Sequence, residues 1–294
     1  MKTLLITGVS GFIGSKVYNL FHKDYNLYGL DMLNAYNFKK FIKCDLRQKD
    51  KLKSKLKNRK FDIIIHTAGL AHNFTKYSKK EIYESNFLAT KNLIESIDKE
   101  TYLIFLSTTG VYGKSILDNK IILESTPVDP VDDYSKSKVL AENLIKGLMK
   151  NSLILRCSPI FSDEFLVDIK KRVLYNNLFY ITFGGNQLHS FCHISKLLNI
   201  VEYFVKTKPN TKIYNLTDGN AYKSKEIPKL VKNDKSFRIN LPLFFVKLVS
   251  KFCLIFFFSK KKILLKIKFH KVLSNNLVDS SLYYNHDFKK NQFE

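Results

Sequence analysis

Cysteine is scarce in this chain of 294 residues, and the pattern of its cysteines excludes two kinds of site. Cys44, Cys157, Cys192 and Cys253 are scattered, and no two of them form a CxxC pair. That spacing excludes a cysteine zinc site and a disulfide framework, so we predict reduced thiols in a cytoplasmic protein and no metal site. We expect no signal peptide, because the apolar run Thr3–Thr7 is short and a glycine turn follows it.

Acidic residues are absent from one long stretch. The net charge is +23, and no Asp or Glu lies between Asp234 and Asp279, whereas residues 235–271, here called the basic segment, contain ten Lys or Arg. This segment indicates attraction to anions, either nucleotide phosphates or an anionic membrane surface. The alternative is that its charged side chains lie on solvated faces of the protein and bind no partner. No nucleic acid is expected as a partner, because no recognised binding module accompanies the charge.

The chain also lacks a long apolar run free of charge, and a membrane span needs about 20 such residues. The most apolar stretch, 241–258, is interrupted by Lys247 and Lys251, which lie four residues apart on one helical face. We therefore predict an amphipathic helix near 241–258, which packs over a substrate cleft or lies in a membrane interface.

Apolar runs alternate with amphipathic stretches over the first half of the chain, and hydrophobic residues make up 45% of the sequence. The alternation predicts an α/β fold, a Rossmann-type doubly wound parallel sheet with a smaller, mixed C-terminal domain. The predicted strands are Thr3–Thr7, 25–31, 62–67, 102–107 and 152–156. The predicted helices are 12–23, 81–98 and 134–149.

A glycine-rich turn directly follows the first predicted strand. Gly8 permits the tight turn, Gly11 lets a pyrophosphate approach the backbone, and Gly14 lets the helix pack closely on the strand. The helix that begins with Phe12 and Ile13 offers N–H groups and a positive dipole end to phosphates. The placement of the turn after a strand predicts a dinucleotide pocket.

Asp31 ends the second predicted strand, where its carboxylate can accept hydrogen bonds from the adenosine ribose hydroxyls. A 2′-phosphate would meet like charge there, so NAD is favoured over NADP. The alternative is a strand-end Asp that caps a turn. The NAD-binding domain is expected to span 1–156 and the substrate-binding region 157–294, with part of 190–216 returning to the sheet.

Tyr134 and Lys138 stand four residues apart at the start of a predicted helix, so their side chains share one face. A free tyrosine has a pKa of about 10, and a nearby ammonium favours its phenolate, the form that acts as a base. The same spacing also occurs by chance in lysine-rich helices. Context supports a site here, because Ser107 and Thr108 follow a buried strand at the sheet edge where open α/β folds bind ligands.

These motifs, in this order, resemble the extended short-chain dehydrogenase/reductases of the NAD-dependent epimerase/dehydratase family. The matching pieces are 7–14, Asp31, 44–46, 66–69, Asn86, 107–113, 134–138 and 155–156. The resemblance implies a catalytic triad of Thr108, Tyr134 and Lys138, with Ser107 as a neighbour of the cofactor and a substitute for Thr108.

The resemblance also implies how the cofactor is held. Asp45 and Leu46 would hold the adenine, while Ala68 and Gly69 would line the pyrophosphate and ribose. Three further residues, together with Tyr134 and Lys138, would contact or support the cofactor: Asn86, Ser107 and Cys157.

The second half of the chain resembles the family less closely. Residues 190–194 are similar to the R-D-Y-I-H-V segment of UDP-galactose 4-epimerases. His189 stands where those enzymes have an arginine facing the nucleotide diphosphate, so we expect it at the substrate with Thr108 and Tyr134. His193 is expected to be structural.

The function that the resemblance implies is an NAD-dependent 4-epimerase of a nucleotide sugar, expected to be a UDP-sugar, in surface polysaccharide biosynthesis. The alternatives are an NAD(P)H-dependent 4-keto reductase or dehydratase and a non-catalytic NAD-binding protein. The family also implies a homodimer that pairs through helices 81–98 and 134–149. The enzyme is expected in the cytoplasm, with the basic segment in contact with the anionic inner membrane.

Overall fold

The structure of the chain is a computed structural model. It describes residues 1–71, 77–118, 121–167, 169–170, 174–175, 179–210, 212–230, 237–242, 244, 248, 263, 266–267, 269–270 and 274–284. The predicted amphipathic helix near 241–258 falls almost wholly outside these residues and stays a prediction. Within them, no helix is long and apolar enough to cross a bilayer.

The described part of the chain contains sixteen strands. They are β1 (Thr3–Thr7), β2 (Asn26–Asp31), β3 (Phe41–Lys43), β4 (Ile63–His66), β5 (Tyr102–Thr108), β6 (Ile121–Ile122), β7 (Ser152–Cys157), β8 (Ile160–Phe161), β9 (Leu174–Tyr175), β10 (Phe179–Phe183), β11 (Leu188–Ser190), β12 (Cys192–His193), β13 (Lys212–Leu216), β14 (Ala221–Lys223), β15 (Phe237–Leu241) and β16 (Leu277–Val278). The five predicted strands are all present, each within one residue of its expected ends.

The helices alternate with the strands in the first half of the chain. They are α1 (Phe12–Phe21), α2 (Lys49–Leu56), α3 (Lys79–Tyr83), α4 (Ala89–Glu95), α5 (Asp133–Leu148), α6 (Ile194–Thr207) and α7 (Ser281–Tyr284), with 3-10 turns at Thr109–Leu117 and Ile227–Leu230. A π-helical turn, Glu84–Leu88, joins α3 to α4. The single helix predicted over 81–98 therefore has three parts, and it begins at Lys79 because Ser78 and Glu81 form a reciprocal capping box.

Seven strands form the central sheet, in the order β3-β2-β1-β4-β5-β7-β13. The pairings of β1 with β2 and β4, of β2 with β3, and of β4 with β5 are parallel. The strand order reverses beside β1, which is the doubly wound arrangement of a Rossmann sheet and confirms the predicted fold class. Such sheets bind ligands at the carboxyl ends of the strands that flank the reversal, here β1 and β4.

The central strands consist of branched and aromatic apolar residues. Residues 63–65 of β4 and 103–105 of β5 are fully buried. A parallel strand covered by helices on both faces requires such a continuous apolar run, and each buried side chain contributes roughly 1.5–3 kcal/mol. This rigid core fixes the strand ends that carry the candidate site.

The chain divides into two compact units, each assembled from separate segments. The first contains Met1–Thr108, Asp133–Arg156 and Leu197–Tyr214, and the second contains Thr109–Asp132, Cys157–Lys196 and Asn215–Glu294. Short strand pairs organise the second unit: β6 with β16, β8 with β12, β11 with β14, and β10 with both β9 and β15. Within it the buried Asn215 accepts a hydrogen bond from the Tyr112 hydroxyl at 2.6 Å.

Candidate active site

The glycine turn lies between β1 and α1, and two of its glycines have no room for a side chain. Gly8 has a φ of +70°, and a Cβ there would lie 2.7 Å from the backbone of Ala68. A Cβ on Gly14 would lie 2.1 Å from the carbonyl oxygen of Gly8. The turn therefore approaches the loop after β4 only because glycine occupies these positions.

Among the described residues, no side chain caps the start of α1. Gly11 is the N-cap residue, and the first turn, which begins with Phe12 and Ile13, contains no acidic residue. N–H groups of a first helical turn have no partner within the helix, and the helix dipole is positive at that end. A diphosphate at this end of α1 would accept hydrogen bonds from these N–H groups, and no acidic side chain of the first turn would repel it.

Asp31 ends β2, and backbone groups hold both of its carboxylate oxygens. Oδ2 accepts from the N–H of Ser10 in the glycine turn at 3.0 Å, and Oδ1 accepts from the N–H of Met32 at 2.7 Å. These two bonds fix the carboxylate beside the turn. A carboxylate has about four lone-pair positions, so Asp31 can cap the turn and still accept hydrogen bonds from ribose hydroxyls.

Asp45 and Leu46, the residues expected at the adenine, are both bonded to neighbours. Arg47 donates from Nη2 to Asp45 Oδ2 at 2.7 Å and from its backbone N–H to Oδ1 at 2.9 Å. The hydrogen bonds from Arg47 lower the pKa of Asp45, so its carboxylate stays charged. Leu46 is buried in the core, and its carbonyl accepts from Asn92 at 2.9 Å. Sequence reasoning did not identify Arg47, although this residue directly follows 44–46, one of the segments that carry the family resemblance.

Asn86 shapes the loop that follows β4. Its buried amide accepts from the N–H of Leu70 at 2.8 Å and donates to the Leu70 carbonyl at 3.3 Å. A Cβ on Gly69 would lie 2.6 Å from Asn86 Oδ1 and 3.7 Å from Lys138 Nζ. Asn86 therefore holds the loop of Ala68 and Gly69 beside the Lys138 ammonium, which brings four of the predicted site residues together.

A buried histidine supports the same region. His66 Nε2 lies 2.9 Å from Thr90 Oγ1, and that hydroxyl donates to the Asn86 carbonyl at 2.6 Å. Thr90 therefore accepts from the Nε2–H of His66, and Nδ1 accepts from the Thr7 hydroxyl at 2.6 Å. Burial first, and the Lys138 ammonium second, lower the pKa of His66 to about 3, so its imidazole is neutral near pH 7.

Lys138 lies on the buried face of α5. Its ammonium donates to the Leu106 carbonyl of β5 at 2.9 Å and lies 4.6 Å from the ring centre of Phe105. Tyr134, one helical turn earlier, is half-buried, and so is Thr108, the last residue of β5. The residues expected to act on the substrate thus come from one turn of one helix and from the end of the strand to which that helix is bonded.

Two buried charged residues, Glu142 and Arg156, were missed as functional candidates by sequence reasoning. They form an ion pair with Arg156 Nη2 2.8 Å from Glu142 Oε2. The Ser107 hydroxyl donates to Glu142 Oε1 at 2.5 Å, so this hydroxyl is bonded within the protein. The signal for Glu142 was its spacing, because it follows Lys138 by four residues on the face that carries Tyr134.

Two further predicted residues, Cys157 and His189, belong to the second unit. Cys157 is the buried last residue of β7, and its sulfur is not part of a disulfide. His189 is buried in β11, with Nε2 2.8 Å from Ser224 Oγ and its ring stacked on Phe191 at a centroid distance of 6.3 Å. The contacts of Cys157 with the cofactor and of His189 with a diphosphate stay predictions.

Comparison with protein families matches residues 4–217 to the NAD dependent epimerase/dehydratase family. The matched range contains every residue that the sequence predicts for the site, from the glycine turn to His189. The expected resemblance is therefore confirmed over most of the chain.

Individual relatives carry out different reactions. The dTDP-D-glucose 4,6-dehydratase of Dictyostelium discoideum is 26% identical over 271 residues, which are 79% of this chain and 62% of that protein, so the chain spans less than two thirds of its length. The N-acetyl-alpha-D-glucosaminyl-diphospho-ditrans,octacis-undecaprenol 4-epimerase of Escherichia coli O157:H7 is 24% identical over 227 residues, 73% of this chain and 67% of that protein.

A solved structure shares the fold over nearly the whole chain. The UDP-Glc/GlcNAc 4-epimerase from Campylobacter jejuni matches with a TM-score of 0.74 at 20% identity, covering 97% of this chain and 92% of that chain. At this identity the likeness establishes the fold.

Proposed function

The chain belongs to the NAD-dependent epimerase/dehydratase family, and from that premise we propose that it is a 4-epimerase of a UDP-sugar. The observation that carries the proposal is the position of Lys138. Its buried ammonium is bonded to the Leu106 carbonyl at 2.9 Å and lies on the helix face of Tyr134. A buried ammonium stabilises a nearby phenolate, which is the base required to remove a hydroxyl proton.

The first unit fits NAD. Gly8 and Gly14 keep side chains out of the turn, and a diphosphate bound there would accept hydrogen bonds from the N-terminal N–H groups of α1. Asp31 would accept the adenosine ribose hydroxyls and repel a 2′-phosphate, which favours NAD over NADP. When bound, NAD supplies the acceptor and donor of the hydride at the sugar carbon.

The side chains of the site move one proton. Tyr134 takes the proton of the sugar 4-hydroxyl, and Lys138 keeps the phenol ionised beforehand. Thr108 donates a hydrogen bond to the same sugar oxygen as it becomes a carbonyl. After the keto sugar rotates within the site, Tyr134 returns the proton to the sugar oxygen. Reduction of a 4-keto sugar needs the same groups, so retention of the cofactor distinguishes the two reactions.

The bound cofactor and a sugar assay together test the proposal. We expect the denatured protein to release about one NAD per chain, because an epimerase regenerates its cofactor in every cycle. The native protein should interconvert UDP-glucose and UDP-galactose, or their N-acetyl forms, without added cofactor. A cofactor-free protein that reduces a 4-keto sugar with NADPH would make it a reductase. Tight NAD binding without turnover of any sugar would make it a non-catalytic NAD-binding protein.

The composition of the basic segment favours a second candidate substrate. The segment combines ten cations and no acid with exposed apolar side chains at Ile239, Leu241, Phe244 and Leu248. That combination suits an anionic membrane surface. The relative from Escherichia coli is, by its name, an epimerase of a sugar carried on undecaprenol diphosphate. The second candidate is therefore a lipid-linked sugar diphosphate, and the enzyme would work in the cytoplasm at the inner membrane during surface polysaccharide synthesis.

Parallel assays separate the two substrates. UDP-N-acetylglucosamine in buffer and undecaprenol-diphosphate-linked N-acetylglucosamine in vesicles are offered to the same preparation. Turnover of the nucleotide sugar supports the first proposal. Turnover of the lipid-linked sugar alone replaces it with the second.

A further inference from the structure

Glu142 connects the helix of Tyr134 and Lys138 to two strands of the sheet. It lies one helical turn after Lys138 and is 1% exposed. Its carboxylate accepts from Arg156 Nη2 of β7 at 2.8 Å, from Arg156 Nε at 3.2 Å, and from the Ser107 hydroxyl of β5 at 2.5 Å. One carboxylate thus joins α5, β5 and β7.

The contacts of Glu142 and Lys138 form a pair. Lys138 bonds to the carbonyl of Leu106, and Glu142 bonds to the side chain of the next residue, Ser107. Two side chains one turn apart on α5 therefore bind two consecutive residues of β5. The residue that follows them is Thr108. A slide or rotation of α5 against β5 would break at least one of these bonds, so they fix the register between the helix and Thr108.

Stability alone does not account for this arrangement. Replacing a buried ion pair with apolar residues of similar volume is often neutral or stabilising, whereas removing one partner leaves a buried charge uncompensated. Catalysis depends more strongly than stability on the alignment of side chains, because a misplacement of 1 Å can lower the rate by about 10²-fold.

We propose that Glu142 and Arg156 are positioning residues that act through Ser107, a predicted neighbour of the cofactor, and align the Tyr134 phenol with the Thr108 hydroxyl on one substrate oxygen. This proposal rests on the proposed function and adds residues that do not touch the substrate. An apolar replacement of the ion pair can restore packing without restoring the bond to Ser107. Such a replacement therefore separates the contribution of the network to stability from its contribution to alignment.

The test compares the double variant Glu142→Met, Arg156→Met with the wild type. We expect its melting temperature and NAD affinity to stay close to those of the wild type and its kcat to fall by about 10²-fold, with KM nearly unchanged. Ser107→Ala, which keeps the ion pair, should lower kcat by about 10-fold. The matched control is Glu100→Met, Lys150→Met, which removes an exposed ion pair and should leave kcat unchanged.

A double variant with wild-type kcat would overturn the proposal, and so would losses of kcat, melting temperature and NAD affinity in parallel. Crystal structures of the wild type and the double variant give a readout without substrate. We expect the separation of Tyr134 Oη and Thr108 Oγ1 to change, and an unchanged separation counts against the proposal. If the wild type turns over no sugar, the proposed function fails, and these structures alone decide whether the network positions the two groups.

Discussion

Tyr134 is the residue on which the proposed chemistry depends most. Tyr134→Phe removes the phenol and keeps the ring. We expect kcat to fall by about 10²–10⁴-fold, because a positioned acid–base group contributes that much to a proton transfer. NAD affinity should persist, because the glycine turn and Asp31 are untouched. Sugar interconversion measures the first quantity and NADH fluorescence titration the second.

The matched control is Tyr203→Phe, because Tyr203 lies in α6 outside the candidate site. It should retain wild-type turnover. Wild-type activity of Tyr134→Phe would remove Tyr134 from the mechanism and, with it, the proposed role of Lys138.

His66 makes stability depend on pH. Its pKa is about 3 in the folded protein, below the ordinary value of 6.5, so the unfolded chain binds the proton first as the pH falls. The free energy of unfolding should therefore decrease below pH 6.5, by up to about 1.4 kcal/mol per pH unit, until the folded protein also protonates. Urea unfolding at pH 7, 6 and 5 measures the slope.

His66→Gln isolates this contribution, because glutamine can donate to Thr90 and does not titrate. The variant should be less stable than the wild type at pH 7 and should lose less stability on acidification. His22→Gln, at an exposed position, should follow the wild type. Identical pH slopes for His66→Gln and the wild type would contradict the neutral, buried imidazole.

Single residues could be proposed from the sequence where a short spacing places two reactive side chains on one face of a helix. Tyr134 and Lys138 stand out because four residues make one helical turn. Glu142 obeys the same spacing, but its partner Arg156 is distant in the sequence and becomes a partner only when β7 enters the sheet. Arg47 was missed for a different reason: nothing in a sequence shows that a carboxylate is already hydrogen-bonded.

Among the elements, the β1–α1 turn gives the sharpest steric test. Gly14→Ala would place a Cβ 2.1 Å from the Gly8 carbonyl oxygen, so α1 must move away from the turn. We expect a loss of stability of roughly 1–3 kcal/mol, as for other overpacked sites, and loss of NAD binding. Thermal unfolding and NADH titration measure the two effects.

Gly147→Ala is the matched substitution, because among the described residues no atom outside the neighbouring backbone of α5 lies within 4 Å of a Cβ at this position. It should leave NAD binding unchanged and stabilise the protein by up to about 1 kcal/mol, since alanine favours a helix more than glycine does. Equal effects of the two substitutions would contradict the close approach of Gly14 to Gly8.

Helix α5 also presents an apolar outer face. Leu140 and Leu148 are each 43% exposed and lie eight residues apart, on one side of the helix. This face supports the expected homodimer, because two copies would bury it against each other. Leu140→Lys should convert dimers into monomers at micromolar concentration, measured by light scattering after gel filtration. Leu282→Lys, at a comparably exposed leucine, should leave the dimer intact, and a monomeric wild type would refute the pairing.

The boundaries of the five predicted strands were predictable, because continuous apolar runs mark buried parallel strands. The π-helical turn Glu84–Leu88 was not, since its surroundings read as one continuous amphipathic helix. Asn86 lies in this turn and bonds to Leu70, 16 residues earlier. A contact at that separation follows from the packing of α4 and the loop after β4, which no local pattern records.

At the scale of the whole molecule, the order of the sheet was predictable, whereas the assembly of the units from separate segments was anticipated only as a return of part of 190–216 to the sheet. Parallel strands and crossover helices produce apolar runs that alternate with amphipathic stretches. The order of the elements in the first 156 residues can therefore be predicted from the sequence. Residues Lys212–Leu216 join the sheet from far along the chain, and Leu197–Tyr214 belong to the first unit. These segments are placed by burial of apolar surface against distant strands, which leaves only a weak local signal.

The uneven charge of the whole chain leads to the last prediction. The net charge is +23, and the basic segment contributes ten cations without an acid. We expect the protein to sediment with vesicles that contain anionic lipid and to dissociate as salt rises, because ions screen the attraction. Replacing Lys260, Lys261 and Lys262 with Gln should weaken binding on the order of 10²-fold, at about 1 kcal/mol for each lysine near the surface.

The control distinguishes a localised surface from bulk charge. Lys51, Lys53 and Lys55 are exposed on α2, and their replacement with Gln lowers the net charge by the same amount. If the basic segment is the contact, this triple variant should bind vesicles almost as well as the wild type. Equal losses in both variants would mean that net charge alone attracts the protein. Sedimentation that is independent of salt and of lipid charge would leave the lysines of the basic segment as solvated side chains, and the lipid-linked substrate would lose its support.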